Sequence, residues 1–381
     1  MNSGKSVLRS FERTLKLFLS SFLRLLLGSN TLSVPLPRDY KSILVIRQHN
    51  QLGDMLCVVP LLRALRKAFP STHIALIASP VNAEIMLHNR YIDELIVYDK
   101  RAYLERHRIR VSRLLEFIRS LRQRRFELAV VPSTVSTSFT SDLLAYISGA
   151  PTRIGAGSIN GVQNHSSFFF NVPVDLDWRD TPHRHQTLRN FDVAHPLGIY
   201  PDDCTIEMTL IRDELDGGKS FIMKTQDRGP LVVALHPGAG KPPNRWPAPS
   251  FTEVANRLAE GFGAHLLVTS GPMDDDPVGV MVKGLRPPFQ LIKNQPIRKV
   301  ASILSHVDLL ISNDTGIMHV GAAVGIPVLS IFGPTDAQQW APLGKRDRCL
   351  IAEDGNIATV TVEDVLRNAQ EMLLEFAGRV S

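Results

Sequence analysis

From Lys41 onward the chain alternates short, unbroken apolar runs with stretches of helical periodicity. Residues 42–47 (SILVIR) are apolar over the length of a strand. Residues 55–69 follow with apolar positions at helical spacing, closed by Pro70. The strand pattern recurs at 73–78, 94–98 and 127–131. After a polar, Gly-rich stretch at 213–229 it restarts, predicting strands at 231–235, 265–269, 307–312 and 327–332. A helix is expected near 250–261, where Ser250 and Glu253 have the capping-box spacing. Strands apolar at every position, rather than at alternate ones, belong to parallel sheets covered on both faces. The expected fold class is therefore α/β, with two doubly wound, Rossmann-like domains facing a cleft. The expected segments are a leader and spacer over 1–40, a first domain over 41–212, a linker over 213–229 and a second domain over 230–381.

The leader breaks this pattern. Leu8, Phe11, Leu15, Phe18, Phe22 and Leu25 share one helical face, while Arg9, Arg13, Lys16, Ser20 and Arg24 lie opposite. An apolar stripe with a basic back is how a helix lies in a membrane interface, so residues 5–27 are expected to contact a membrane surface. Lys16 and Arg24 keep the apolar run short of the ~20 residues a spanning helix needs. Two other readings stay open. One is a signal peptide, for which Gly28-Ser29-Asn30 is a poor cleavage site; the other is a helix packed on the protein's own body. Pro35 and Pro37 then form a stiff spacer.

At 381 residues the chain has room for about two domains. Its 44% hydrophobic and 21% charged content is ordinary for a globular protein and excludes global disorder and fibrous repeats. Cys57, Cys204 and Cys349 form no CxxC pair, so neither a disulfide framework nor a thiolate zinc site is expected. The net charge of +6 is uneven. Residues 1–40 hold six basic and two acidic side chains, which leaves only +2 for the rest and no general nucleic-acid-binding surface. Residues 100–125 are locally rich in charge, with ten basic and two acidic residues. That run is either a solvated helix face or a contact for anionic lipid headgroups and an acidic acceptor.

Ligands of doubly wound folds bind beyond the carboxyl ends of the strands, so three loops carry the chemistry. The first includes Arg47, Gln51, Gly53 and Asp54. Asp54 at a helix start is either a cap favoured by the dipole or a general base projecting into the cleft. The second runs from His236 to Pro247 and places Gly238 and Gly240 beside Lys241, Asn244 and Arg245. Glycines with basic side chains after a strand suit phosphate binding. No GxxxxGK[ST] and no GxGxxG is present, so neither a P-loop nor a dinucleotide fingerprint is expected. The third loop, Ser312 to His319, offers free backbone N–H groups at a helix start, with Asp314 or Thr315 as a possible cap. No acidic cluster has magnesium-site spacing; Asp274, Asp275 and Asp276 are consecutive.

The segment SNDTGIMHVGAAVGIPVLSIFGPTD (312–336) resembles the signature of the lipopolysaccharide heptosyltransferase family, inverting glycosyltransferases of the GT-B fold. Leu52-Gly53-Asp54, HPGAG…RWP (236–247), LAYISGAPTRIG (144–155) and HQTLRNFDVAHPLGI (185–199) resemble that family in the same order. The likeness spans about 42–370.

The resemblance implies transfer of a heptose from ADP-heptose to the lipopolysaccharide inner core, a lipid-linked anionic saccharide, by a peripheral enzyme at the cytoplasmic face of the bacterial inner membrane. It implies Asp54 as general base, within an acceptor loop that includes Arg47, Gln51 and Gly53. It implies that Gly238, Thr315, Gly316 and His319 line the donor with Asp314 nearby, and that Ser270 with Asp274 or Asp275 holds the ribose. Many members carry Lys two places before the Trp of the second loop, where this chain has Asn244. Arg245 or Lys241 is then expected to supply the phosphate charge, with no metal and no cofactor beyond the donor. Rival readings are transfer of another nucleotide-activated sugar, a sugar-nucleotide epimerase, and a non-catalytic, membrane-attached nucleotide-sugar-binding protein.

Overall fold

In the computed structural model the described residues are 31–32, 36–48, 50–105, 108–224 and 231–376. The leader helix expected over 5–27 lies outside them. The chain divides into two compact units. The first comprises the stretch up to Asn50, Leu61–Pro80 and Tyr91–Asp202; the second comprises Gln51–Pro60, Val81–Arg90 and everything from Asp203.

The first unit is built on a seven-stranded sheet. Strands β1 (Ser42–Arg47), β2 (His73–Ala78), β3 (Glu94–Val97), β4 (Leu128–Val130), β5 (Thr152–Ile159) and β6 (Val162–Gln163) lie in the order β3-β2-β1-β4-β5-β6, and β7 (Val172–Leu176) also pairs with β5. All pairs are parallel except β5 with β6. Every residue of β1 is buried, as its continuous apolar run requires. The sheet is extended by elements that apolar runs do not reveal. In β5 (TRIGAGSI) Gly155 allows the Phe170 ring to approach so closely that a Cβ would lie 2.2 Å from Cζ. Such a strand is defined by close packing rather than by hydrophobicity.

The helix expected over 55–69 is two helices, α1 (Leu52–Leu56) and α2 (Val59–Ala68). The break falls where Pro60, which lacks an N–H, is tolerated only in a new first turn. Further along lie α3 (Pro80–Met86), α4 (Val111–Gln123), α5 (Phe139–Ile147) and α6 (Gln186–Ala194).

Beneath the start of α5 sits a buried polar network. Asp142 Oδ2 accepts from Asn164 Nδ2 at 3.0 Å and from Ser166 Oγ at 2.6 Å. Burial pushes the Asp142 carboxyl up to about 6, outweighing those two bonds. Because the folded-state pKa is raised, the unfolded chain releases this proton first. Stability is therefore full below pH ~4 and falls as pH rises toward 6, by at most about 3 kcal/mol. Asp142→Asn keeps an acceptor for both bonds and removes the charge. Its thermal midpoint is expected to match wild type near pH 4 and to exceed it near pH 8; parallel melting curves at both values would remove Asp142 from the pH response.

The second unit has a fully parallel six-stranded sheet. Its strands are β8 (Val232–His236), β9 (His265–Ser270), β10 (Phe289–Lys293), β11 (Leu309–Asn313), β12 (Val328–Phe332) and β13 (Asp347–Ile351), in the order β10-β9-β8-β11-β12-β13. This is the doubly wound order of a Rossmann-like domain. Its helices are α7 (Arg212–Met223), α8 (Ala248–Phe262), α9 (Asp275–Gly284), α10 (Ile297–Leu304), α11 (Gly316–Ala323), α12 (Ala337–Trp340) and α13 (Val362–Phe376). Trp246, Phe251, Val254 and Leu258 pack with Val365 and Met372 in its core.

Two expectations are corrected here. Residues 213–229 read as a linker, yet 212–223 form α7. Glu214 accepts from the Ile211 N–H and pairs with the largely buried Arg298 of α10, and Gly218 sits where a Cβ would lie 2.1 Å from the Ser302 carbonyl oxygen. The glycine thus permits close helix packing instead of ending a helix. The Ser250–Glu253 capping box does not form, because α8 begins earlier: Pro247 is its N-cap and Ser250 already lies in the first turn. Among the described residues no helix is long and apolar enough to cross a membrane.

Candidate active site

The carboxyl ends of β8, β9 and β11 open into a cavity of about 270 Å³ in the second unit. Its wall includes His236, Ser270, Asp274, Gln295, Thr315 and Gly316. The loop after β11 is organised by Asn313, which is fully buried. Its Nδ2 donates to the Pro237 and Gly238 carbonyls at 3.0 and 3.1 Å, and its Oδ1 accepts from the Trp246 N–H at 3.0 Å. One amide side chain therefore fixes the 236–247 loop against the start of α11.

Of the two cap candidates, Thr315 is the N-cap of α11: its Oγ1 accepts from the Ile317 N–H at 3.2 Å. Thr315, Gly316 and Ile317, at the start of an eight-residue helix, line the cavity, where the dipole favours negative charge. Asp314 turns the other way. Its Oδ2 accepts from Asn244 Nδ2 at 3.0 Å, and Asn244 also donates to Thr335 Oγ1 at 2.8 Å. Burial raises the Asp314 pKa against the opposing effects of Thr335, the Lys241 charge and Asn244.

Asp274 and Asp275 separate cleanly. Asp274 is buried at the cavity wall, and its Oδ2 accepts from the Gly271 N–H at 2.7 Å. A Cβ on Gly238 would lie 2.1 Å from the Asp274 carboxylate, so only glycine fits there. His236 Nε2 is 3.9 Å from the same carboxylate, while its Nδ1 lies 2.9 Å from Thr269 Oγ1. Burial lowers the His236 pKa despite the Asp274 charge, favouring the neutral imidazole. Asp275 instead points outward and pairs with Lys293 at 2.9 Å.

The expected phosphate cations also differ. Arg245 is half-buried and braces its own surroundings, with Nε donating to Ala239 O at 2.8 Å and Nη2 to Met273 O at 3.2 Å. Lys241 is exposed.

Asp54 belongs to this same unit. Helix α1 lies against the first turns of α11: a Cβ on Gly53 would lie 2.6 Å from His319 Cδ2, and one on Gly316 would lie 3.2 Å from Leu52. Glycine at both positions is what lets the helices approach. Asp54 is buried in the first turn of α1; the N-cap position belongs to Gln51, which makes no side-chain cap bond. His319 is buried with its ring edge-on to Trp340, centroids 6.4 Å apart. Arg47, at the end of β1, is buried in the first unit and donates from Nη1 to Pro132 O at 2.5 Å. Gln51 is exposed, and its carbonyl accepts from Asn82 at 3.3 Å.

Asn313 and His236 were not singled out by sequence. Their signal is a polar residue ending a fully buried parallel strand. Among the described residues no group of three or more His, Cys, Asp or Glu side chains is arranged to hold a metal ion.

The sequence profile of glycosyltransferase family 9 (heptosyltransferase) matches residues 114–370. Lipopolysaccharide heptosyltransferase 3 of Escherichia coli K12 is 25% identical over 308 residues, covering 76% of this chain and 82% of that protein. Lipopolysaccharide heptosyltransferase 2 of the same strain is 22% identical over 317 residues, covering 78% and 85%. The crystal structure of a family 9 glycosyl transferase from Veillonella parvula superposes with a TM-score of 0.77 at 25% identity, covering 89% of this chain and 99% of that one. E. coli ADP-heptose lps heptosyltransferase II shares the fold, with a TM-score of 0.72 at 21% identity and coverage of 88% and 99%.

Proposed function

The chain belongs to glycosyltransferase family 9, the heptosyltransferases, and on that premise we propose that it transfers a heptose from ADP-heptose to the inner core of lipopolysaccharide, with inversion, at the cytoplasmic face of the inner membrane. The observation that carries this reading is the approach of α1 to α11, which puts Asp54 in the same unit as the cavity and one residue from the His319 contact.

Asp54 takes the proton of an acceptor hydroxyl as that oxygen bonds to the anomeric carbon. The bond from that carbon to the diphosphate breaks, and the electron pair leaves with the nucleotide. A single displacement inverts the centre. The α11 N–H groups and dipole, with Lys241, stabilise charge growing on the leaving diphosphate. Asp274, held by the Gly271 N–H, is an acceptor for ribose hydroxyls. Arg245 holds the loop in shape rather than supplying the main phosphate charge. The direct test is mass spectrometry of a truncated core acceptor after incubation with ADP-heptose or with other nucleotide sugars. A heptose added only from ADP-heptose is expected; transfer from a different donor, or from none, contradicts the proposal.

Because the phosphate charge is met by backbone dipoles and Lys241, turnover is expected to survive EDTA with rates within about twofold. Loss of the chemical step on chelation, restored by magnesium, would overturn that mechanism.

Residues 5–27 are proposed to hold the enzyme on the membrane. Deleting residues 1–34 is expected to shift the protein from the membrane to the soluble fraction while preserving turnover of a soluble acceptor. Binding to anionic vesicles should weaken with salt, since each exposed cation near the surface contributes ~1 kcal/mol and is screened over ~10 Å at 0.1 M. Equal membrane recovery of the truncated chain would assign the leader to another role.

A further inference from the structure

Helix α4 carries a stripe that the proposed chemistry does not use. Its inner face is set by Leu121, which is buried, and by Phe117, whose ring lies 5.3 Å from Tyr98 and 5.8 Å from Tyr103. With that face turned inward, Val111, Leu115, Arg119 and Arg122, spaced by four, four and three residues, share the outer side. Val111 is 58% exposed and Leu115 is 55% exposed. Arg113 and Arg119 are exposed and enter no ion pair among the described residues. Lys100 and Arg101 precede the helix and Arg125 follows it, all exposed, and Glu116 is the acidic residue on the helix.

We propose that the outer face of α4 docks onto an anionic lipid surface, through Val111 and Leu115 inserted among the headgroups and Arg119 paired with their phosphates, joined by the terminal N–H groups of Arg122, whose Nε donates to Ile147 O at 3.1 Å. The charge alone would equally suit a soluble acidic saccharide. The two exposed apolar side chains decide for lipid, since a sugar or free phosphate rewards neither, whereas the interface accepts apolar area and cations side by side. This surface is separate from the leader, and it stands whether or not residues 5–27 bind lipid.

The test uses the full chain and sedimentation with vesicles of phosphatidylglycerol and phosphatidylcholine in equal parts, beside vesicles of phosphatidylcholine alone. R119Q is expected to weaken binding to the anionic vesicles about fivefold, and R119Q/R122Q more than tenfold. V111S/L115S is expected to weaken it at least about tenfold. S112E adds an anion to the same face while favouring the helix N-terminus. It is expected to raise or leave unchanged the thermal midpoint and still weaken vesicle binding about fivefold. Vesicle binding by R119Q, V111S/L115S and S112E equal to wild type would overturn the proposal, as would equal binding to the neutral vesicles. So would unchanged vesicle binding with weakened binding of a soluble truncated core saccharide, which would make α4 a saccharide contact instead.

Discussion

Asp54→Asn is expected to lower kcat by ~10²–10⁴, the range that removal of a positioned general base produces, while leaving donor affinity nearly intact. The substitution is close to isosteric and keeps a hydrogen-bonding group in the first turn of α1, so the fold should persist. What it removes is the capacity to take the acceptor proton. The contrast between kcat and donor affinity separates this role from a structural one. A cap acts by stabilising its helix, and its loss would appear in thermal unfolding and in donor binding together. Steady-state kinetics with donor titration check the result. Near-normal kcat would make Asp54 a structural carboxylate.

Asn313→Ala should be nearly as damaging by a different route. The change strands the Pro237 and Gly238 carbonyls and the Trp246 N–H, all three satisfied by this one side chain. A buried group left without its partner costs ~1–3 kcal/mol, so three together amount to about 3 kcal/mol even at the low end. The 236–247 loop would then lose its registration with α11, and donor affinity should fall with stability. Urea unfolding and donor titration test both parts. A loss below about 1 kcal/mol with unchanged donor affinity would show that the loop holds its shape without Asn313.

The parallel-sheet framework was legible because its central strands have no exposed face. Ile43–Ile46 and Ile74–Ala78 are apolar and buried without a break, which at that length, between helical stretches, reads as a strand of a covered parallel sheet. Elements at the margins were not legible. Thr152–Ile159 is held by Gly155 fitted against the Phe170 ring and Gly157 against Asp175 and Pro173, and Arg212–Met223 hides its packing glycine in a stretch that reads as a linker. Local composition resembles a break in both cases, and only the tertiary partner reveals the contact.

The site divides in a similar way. Loops at strand ends can be found from order and motif, but which side chain faces inward cannot. Asp274 and Asp275 are adjacent in sequence, yet one receives the Gly271 N–H and the other an outward lysine. Arg245 has the right charge for a phosphate but is committed to carbonyl oxygens. Asn313 is fully buried and bonds to groups more than 60 residues away in the chain, a linkage no local pattern encodes.

A single displacement at the anomeric carbon, driven by one carboxylate, is read out in the configuration of the new glycosidic bond. Purified protein, ADP-heptose of defined anomeric configuration and a truncated core acceptor are incubated, and the product's anomeric proton is read by nuclear magnetic resonance. The expected product is a heptoside of configuration opposite to the donor, formed by wild type and not detectably by Asp54→Asn in the same time. A product that retains the donor's configuration would require a covalent or front-side route and would contradict the single displacement.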